Sequence, residues 1–317
     1  MDGLTPSWPD ILAMAQAAET VGFDAVWISD HVGFGDPAGD WTGAWEVWTL
    51  LSALAASTER VTLGTYVLCT PFRNPALVAK MAETLDEVSG GRLILGLGAG
   101  WNDEEHRQLG LPFPEIDERA DMLEEHLAVM RGLWGEPDGW SFHGKHVTIE
   151  GSQFHPKPVD VAGRPRGTNG AARPRLLVGG GGTKRSARIA AAYADEFNLS
   201  SSSPESAVAK FADLDTACVA IGRDPASLTR STMAGVLIGR DEAEVDRRKT
   251  DMLAVFGDDA GGEDWFDARE PRWILGTPDQ ARSMVDRFAA AGAERIMLQD
   301  FLPRDLDMID LMAEVLF

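Results

Sequence analysis

We predict from the sequence an α/β fold, a TIM (β/α)8 barrel whose first strand is not evident at the start of the chain. Short runs rich in valine, isoleucine and leucine alternate with longer amphipathic stretches along most of the chain. Serial strand–helix units of this kind form parallel sheets covered by helices. The chain has 317 residues, an ordinary length for an α/β barrel. We therefore expect a single domain over residues 1–317.

The order of the elements supports this fold class. The expected strands are Asp24–Ile28, Val61–Thr65, Arg92–Leu97, Leu176–Gly179, Glu196–Leu199, Leu228–Ile238 and Arg295–Leu298. The expected helices are Pro9–Thr20, Trp45–Ser57, Pro75–Val88, Glu115–Leu133, Thr183–Ala192, Glu205–Ile221, Glu242–Phe256, Pro278–Ala291 and Leu306–Leu316.

The opening of the chain does not fit the pattern. Met1–Pro6 is too short and too polar for a core strand, and a helix follows almost at once. The barrel is therefore one strand short. Either the true start lies upstream, or another segment closes the barrel.

Two insertion loops, at about residues 135–175 and 258–272, interrupt the strand–helix rhythm. The first begins with a polar and aromatic stretch, 135–158, which predicts a short hairpin, and it continues through a loop rich in glycine, arginine and proline. Long loops in compact barrels often cover substrates. We expect these loops to determine the identity of the substrate.

The composition narrows the choice of partners. Lys plus Arg is 29 and Asp plus Glu is 50, which gives a net charge of −21. Such a surface repels nucleic acid and anionic membranes, so we expect neither as a partner. The N-terminus has no basic segment followed by an apolar run, and no stretch approaches the length of a membrane span. We expect a cytoplasmic protein.

A metal site is not expected. Cys69 and Cys218 lie far apart and form no C-x-x-C pair, which disfavours a disulfide framework and a cysteine-based zinc site. His143, His146 and His155 are close in sequence, but no matching carboxylate pattern accompanies them, so the zinc signal is weak.

The first candidate site follows the strand Asp24–Ile28. In α/β barrels, active sites form where strands end and βα loops begin. Asp30 and His31 stand at such an end, and an acid beside a histidine can donate a proton or bind the polar edge of a ring. Asp30 and His31 are therefore candidate catalytic residues. The alternative is an aspartate that caps the loop beside a surface histidine.

Glycines follow two further strands. The run 96–102 contains three glycines, which permit close approach of a ligand to the backbone but also occur in ordinary tight turns. The run 179–183 leads directly into a helix, whose free N–H groups and dipole favour an anion. Lys184 and Arg185 add positive charge there. We predict a phosphate site in this run, with a flexible βα turn as the alternative.

Five stretches in order resemble the luciferase-like monooxygenase family, especially its branch that depends on coenzyme F420. They are residues 18–31 (AETVGFDAVWISDH), 58–65 (TERVTLGT), 85–92 (LDEVSGGR), 96–106 (GLGAGWNDEEH) and 178–182 (VGGGG), the last followed by 193–198 (YADEFN). The final third of the chain matches only in its helical pattern. The resemblance implies a luciferase-like TIM barrel.

The resemblance also implies roles for individual residues. Asp30 and His31 would lie beside a tricyclic redox ring, with His31 as a proton donor or a clamp on the ring. Tyr66-Val67 would form a non-proline cis peptide behind the ring. The implied cofactor-binding residues are Asp30, His31, Tyr66, Val67, Ala99, Gly100, Trp101, Asn102, Gly179, Gly180, Gly181, Gly182 and Thr183, of which the last five would hold the cofactor phosphate.

By resemblance, we expect an oxidoreductase that uses coenzyme F420 for hydride transfer to or from a small organic substrate. The alternatives are an FMNH2-dependent monooxygenase, which would make FMN the cofactor, and a non-catalytic cofactor-binding protein. Trp101 stands where some sugar-phosphate dehydrogenases of this branch carry a glutamate, which disfavours that activity. Relatives commonly form dimers, so a homodimer is a further expectation.

Overall fold

The structure is a computed structural model, and it describes residues 5–35, 41–167, 170–256 and 264–317. In chain order its helices are α1 (Trp8–Val21), α2 (Val47–Ser57), α3 (Pro75–Val88), α4 (Asp103–Leu109), α5 (Ile116–Gly135), α6 (Lys184–Tyr193), α7 (Pro204–Ala220), α8 (Glu242–Phe256), α9 (Asp264–Asp267), α10 (Pro278–Ala290) and α11 (Leu306–Leu316).

The strands carry labels in the same way. They are β1 (Ala25–Ile28), β2 (Gly33–Phe34), β3 (Thr42–Gly43), β4 (Thr62–Thr65), β5 (Leu68–Cys69), β6 (Leu93–Gly98), β7 (Trp140–His143), β8 (Thr148–Ser152), β9 (Arg175–Gly180), β10 (Glu196–Ser200), β11 (Thr229–Ile238), β12 (Ile274–Gly276) and β13 (Arg295–Asp300).

The chain divides into two compact units. The middle unit contains residues 25–180 and 185–196, and the terminal unit contains residues 1–24, 181–184 and 197–317. Each unit carries part of a parallel sheet, with helices between successive strands.

In the middle unit the sheet order is β1-β4-β6-β9, and β5 pairs with β6 beyond the end of β4. All of these pairs are parallel. The Thr65 hydroxyl donates to the Gly96 carbonyl and accepts from the Gly96 N–H, both at 2.8 Å. This buried side chain therefore continues the contact between β4 and β6 where their backbone pairing ends.

A half-buried arginine fixes the amino ends of these strands. Arg92 precedes β6, and its guanidinium donates to the carbonyls of Ala55, Thr58 and Val61 at 2.8 to 2.9 Å. Because Ala55 lies in α2 and Val61 precedes β4, one side chain joins three elements. The resemblance stretch that ends in Gly-Gly-Arg thus has a structural role here.

In the terminal unit the order is β10-β11-β12, and β13 also pairs with β11. Both pairings with known register are parallel: Ser231–Val236 of β11 faces β13, and Val236–Ile238 faces β12. The helices α1 and α11 pack against each other, and the rings of Phe23 and Phe317 meet edge to face at 4.9 Å.

Most of these elements lie within one or two residues of their predicted bounds, but the helices α4 and α9 and the short strands β2, β3, β5 and β12 were not predicted. The longest of these strands is β12. This strand has only three residues and follows an irregular segment, so it shows no alternating or continuous apolar pattern of useful length. The hairpin predicted within 135–158 is confirmed as the antiparallel pair β7–β8. The expectation for the opening strand falls largely on residues 1–4, and much of the 258–272 loop falls on residues 258–263; both lie outside the described residues.

None of the described helices combines the length and the apolar character needed to cross a bilayer.

The pH dependence of stability has an identifiable source in α5. His126 is 4% exposed, and burial lowers its pKa to about 4. The unfolded chain binds a proton at His126 near pH 6.5, so the folded state loses stability as the pH falls from 6.5 towards 4. We expect the loss to reach about 2 kcal/mol at pH 5. In urea denaturation, the free energy of unfolding should fall between pH 7 and pH 5 by about 2 kcal/mol less in His126→Gln than in the wild-type protein.

The exposed His143 provides the control. His143→Gln should keep the pH dependence of the wild-type protein. An unchanged difference between pH 7 and pH 5 in His126→Gln would contradict the prediction.

Candidate active site

Asp30 lies two residues after the end of β1, and its side chain is buried. Its Oδ2 accepts from the Arg73 guanidinium at 2.6 Å and from the Cys69 backbone N–H at 2.9 Å, while Oδ1 accepts from Arg73 at 3.0 Å. Arg73 also donates to Glu46 at 2.9 Å. Both oxygens of Asp30 therefore have partners, and the carboxylate ties the end of β1 to the end of β5.

His31 is oriented by a second buried carboxylate. Its Nδ1 lies 2.8 Å from Oε2 of Glu105, and Oε1 of Glu105 accepts from the backbone N–H groups of Val32 and Gly33 at 2.6 and 3.3 Å. Glu105 is 2% exposed, whereas the His31 side chain is 17% exposed. Burial alone would raise the pKa of Glu105, but its hydrogen bonds hold the pKa below the ordinary value. Glu105 thus accepts from Nδ1 and leaves Nε2 for another partner.

Two aromatic rings flank His31. The Phe34 ring lies 4.4 Å from the imidazole, and the Trp101 ring lies 5.5 Å from it in an edge-on arrangement. Both are exposed, and Trp101 is 69% exposed. Large exposed aromatic faces beside an oriented histidine can stack on a planar ligand.

Tyr66-Val67 is a cis peptide, which confirms the prediction from the resemblance. The Val67 side chain is packed by glycines of two neighbouring strands. A Cβ on Gly98 would lie 2.7 Å from a Val67 methyl group, and a Cβ on Gly179 would lie 2.8 Å from the other. Because Gly179 meets Val67, which directly precedes β5, the first glycine of the predicted phosphate run lies near the Asp30 and His31 site rather than at the far end of the unit.

The loop 99–102 lies beside the same site. Gly100 has φ +77°, and a Cβ there would lie 2.7 Å from the Cys69 sulfur. The Ala99 carbonyl accepts from Arg119 at 3.1 Å. Asn102 precedes α4, and its side chain makes no capping hydrogen bond.

Cys69 is not poised for nucleophilic chemistry. Burial, followed by the nearby carboxylates of Asp30 and Glu105, raises the pKa of its thiol to about 12. His106 Nε2 lies 3.4 Å from the sulfur, and burial lowers the pKa of His106. The thiol therefore stays protonated at neutral pH.

The remaining glycines of the predicted phosphate run are open. A Cβ on Gly180 or on Gly181 would meet nothing within 4 Å. Gly182 has φ +72°, and a Cβ there would lie 2.7 Å from Leu199 and from the Lys210 side chain. The helix α6 begins at Lys184, directly after the run.

Lys210 supplies a cation beside Gly182 in the terminal unit. Its Nζ donates to the Ser202 hydroxyl at 2.8 Å, and burial lowers its pKa. Across the described ranges, no acidic side chain forms an ion pair with it. By contrast, Lys184 lies 3.9 Å from Asp213, and Arg185 bonds Asp117 and Asp121. The charge that the sequence analysis attributed to 184 and 185 is therefore already paired.

The structure places Asp30, His31, Tyr66, Val67 and the loop 99–102 together in the middle unit. Sequence reasoning missed Glu105, Arg73 and Lys210 as members of the candidate sites. Glu105 stood inside a resemblance stretch, but its 74-residue separation from His31 left no local signal. Arg73 and Lys210 follow only from the three-dimensional contacts.

The three histidines considered for zinc have separate partners. His143 lies 3.4 Å from Glu150, His146 lies 3.8 Å from Glu118, and His155 lies 2.9 Å from Asp138. In the part of the chain that the structure describes, no group of three or more histidine, cysteine, aspartate or glutamate side chains is arranged to hold a metal ion.

Comparison with curated proteins finds two kinds of relative. The F420-dependent glucose-6-phosphate dehydrogenase of Beutenbergia cavernae is 38% identical over 157 residues, which is 49% of this chain and 44% of that protein. The FMNH2-dependent dimethylsulfone monooxygenase of Pseudomonas putida is 26% identical over 274 residues, which is 78% of this chain and 72% of that protein. The chain thus spans less than half the length of the dehydrogenase.

Comparison with solved structures supports the fold. An F420-dependent secondary alcohol dehydrogenase in complex with an F420-acetone adduct superimposes with a TM-score of 0.80, at 23% identity, over 98% of this chain and 96% of that chain. The monooxygenase RslO1 from Streptomyces bottropensis gives a TM-score of 0.79, at 23% identity, over 98% and 92%. The predicted luciferase-like TIM-barrel class is confirmed.

The family model described as luciferase-like monooxygenase matches residues 1–295. Because this model matches most of the chain, and the fold is of the same type, the chain belongs to the luciferase-like monooxygenase family.

Proposed function

We propose that the protein is an F420-dependent oxidoreductase that transfers hydride to or from a small organic substrate. The observation that carries the proposal is His31, which is held by the buried Glu105 between two exposed aromatic rings at the end of a barrel strand. A planar redox ring needs such flat apolar faces, and hydride chemistry needs one oriented proton-transfer group beside it.

The residues present fit a deazaflavin or flavin ring. Trp101 and Phe34 provide exposed aromatic faces, and the backbone near Gly98 and Gly179 carries no Cβ, so Val67 can pack there. When bound, the cofactor would supply the hydride chemistry, while the protein supplies binding and orientation.

The roles of Asp30 and His31 differ in this proposal. His31 is the candidate catalytic residue, because its Nε2 is available to hold or move a proton while Nδ1 faces Glu105. Asp30 acts as a positioning residue, since Arg73 and the Cys69 N–H occupy both of its oxygens. Ala99, Gly100, Trp101 and Asn102 would line the ring.

The cofactor phosphate is assigned to Gly179, Gly180, Gly181, Gly182 and Thr183. Backbone N–H groups without an obstructing Cβ, followed by the start of α6, favour an anion. Lys210 adds a cation that has no acidic partner in the described part of the chain.

An FMNH2-dependent monooxygenase is the second candidate. It is favoured by the Pseudomonas putida relative, whose match covers a larger share of both chains than the dehydrogenase match does. A non-catalytic cofactor-binding protein is the third candidate, because the same site would bind a ring without turning it over.

Cofactor titration tests the ranking of the three candidate functions. Purified protein freed of ligand should bind F420 at least tenfold more tightly than FMN, as followed by quenching of cofactor fluorescence. Such a ratio corresponds to about 1.4 kcal/mol. Tighter binding of FMN or of FMNH2 would favour the monooxygenase, and binding of none of F420, FMN and FMNH2 would contradict all three candidates. Bound F420 that exchanges no hydride with a panel of alcohols and ketones would favour the non-catalytic protein.

Glu105→Gln tests the positioning of His31. The Gln amide has one acceptor oxygen and its NH2 group only donates, so it cannot accept from both Nδ1 and the backbone N–H groups as Glu105 does. The His31 tautomer should therefore change, and turnover should fall by about tenfold or more. Cofactor affinity should change little. Nitrogen-15 NMR of the histidine ring would report the tautomer, which a merely structural defect would not alter.

The neighbouring Glu104 offers a matched control, because its carboxylate bonds Arg107 at the surface. Glu104→Gln should keep both the tautomer and the turnover, while His31→Ala sets the limit of full loss. Normal turnover in Glu105→Gln and in His31→Ala would place the active site elsewhere.

Lys210→Met tests the phosphate assignment. Losing a partly buried cation beside Gly182 should weaken the binding of F420 by about tenfold, because charge-assisted hydrogen bonds to phosphate are worth roughly 1.5–3 kcal/mol. The comparison is Lys184→Met, since Lys184 is highly exposed and already faces Asp213. Equal affinities in the two variants would remove Lys210 from the phosphate site.

A further inference from the structure

The terminal unit contains a cavity of about 380 Å³ that the proposed cofactor site does not use. We call it the aromatic–arginine pocket and define it by six of its lining residues, which are Phe256, Trp265, Arg269, Arg272, Trp273 and Phe301. Its volume lies in the range of small-ligand sites.

The aromatic walls support one another. The rings of Trp273 and Phe301 stack at 5.2 Å with an interplanar angle of 11°, and Trp265 meets Trp273 edge to face at 5.4 Å. Trp273 lies against Gly235 of β11, where a Cβ would come within 2.2 Å of the indole. The absence of a side chain at Gly235 therefore seats this wall directly on the sheet.

The two arginines have no acidic partner among the described residues. The Arg269 guanidinium lies 3.6 Å from the Trp265 ring centroid and donates to the Trp265 carbonyl at 2.9 Å. Burial, and then the charge of Arg272, lower the pKa of Arg269. The Nε of Arg272 is buried, and nothing in the described ranges accepts its hydrogen bond.

This arrangement is costly without a ligand. Two guanidinium groups that repel each other lose hydration in the pocket, and the buried Nε of Arg272 has no acceptor within the described residues. Elsewhere in the same unit, Arg248 is fully buried but bonds Asp305 and Asp307. An anion entering the aromatic–arginine pocket would satisfy Arg272 and offset the repulsion.

We propose that the aromatic–arginine pocket binds a small organic anion, in which a carboxylate, sulfonate or phosphate faces Arg269 and Arg272 and a planar or apolar body lies against Trp265, Trp273 and Phe301. The anion belongs either to a substrate or to an acidic part of a cofactor. Because the inference rests on the pocket's own residues, it stands or falls independently of the cofactor assignment.

Calorimetric titration of the ligand-free wild-type protein with 2-naphthoate and with 2-naphthamide tests the proposal. The two probes share a planar body and differ in charge. We expect 2-naphthoate to bind at least tenfold more tightly than 2-naphthamide. Equal affinities, or binding of neither probe, would overturn the proposal without any variant being made.

Two variants locate the effect. Arg272→Met should weaken 2-naphthoate binding by about tenfold and leave 2-naphthamide unchanged, and Arg269→Met serves if the first variant does not fold. The control is Arg287→Met in the same unit, because Arg287 is half-exposed and pairs with Glu205 at the surface. If Arg287→Met lost as much affinity for 2-naphthoate as Arg272→Met, the anion would not bind in the aromatic–arginine pocket.

The source of the anion follows from the same proteins. If Arg272→Met binds F420 and FMN as tightly as the wild-type protein does, the pocket binds a substrate anion. Weaker binding of either cofactor together with weaker 2-naphthoate binding assigns it to an acidic part of that cofactor. If neither cofactor binds the wild-type protein but 2-naphthoate does, the proposed function fails while this inference holds.

Discussion

Glu105 accepts hydrogen bonds from His31, Val32 and Gly33 in a nearly solvent-free position, and the middle-unit site depends on this interaction. A buried carboxylate with this many N–H partners stays ionised, because each donor compensates part of the lost hydration. The same bonds remove freedom from the segment that follows β1. His31 is therefore held by a contact at its own ring and by two contacts at its neighbours' backbone.

Asp30 completes the constraint from the other side. Its bonds to Arg73 and to the Cys69 N–H join the end of β1 to the end of β5. Removing Arg73 would leave the buried Asp30 carboxylate without its counter-charge, which costs more than the ion pair contributes. The two carboxylates beside this segment thus have different roles. Asp30 holds the backbone that follows β1, while Glu105 fixes the orientation of the His31 imidazole.

The sequence predicted the parts of this arrangement that depend on local pattern. Strands such as β6 and β9 are continuous apolar runs, and their ends indicated where polar residues should gather. The Tyr66-Val67 cis peptide was predicted by resemblance alone. The contact of Glu105 with His31 was not predicted, because α4 is a short helix without apolar periodicity and the pair is separated by 74 residues. The pairing of Arg185 with Asp117 and Asp121 likewise left no local signal, because 68 and 64 residues separate the partners.

The net charge of the chain bears on three cations that have no acidic partner among the described residues, namely Lys210, Arg269 and Arg272. A chain with a net charge of −21 repels anions at long range, so an anionic ligand gains little from electrostatic steering. Recognition must then come from short-range contacts in places where acidic side chains are kept away. Lys210 beside Gly182 and the two arginines of the aromatic–arginine pocket are such places within the described residues. Because acidic residues outnumber basic ones by 50 to 29, finding these cations without an acidic partner among the described residues is unexpected for a surface arranged only for stability. A surface that repels anions, together with local cations that no described acidic side chain pairs, favours selection of a ligand by shape and hydrogen bonding over selection by charge alone.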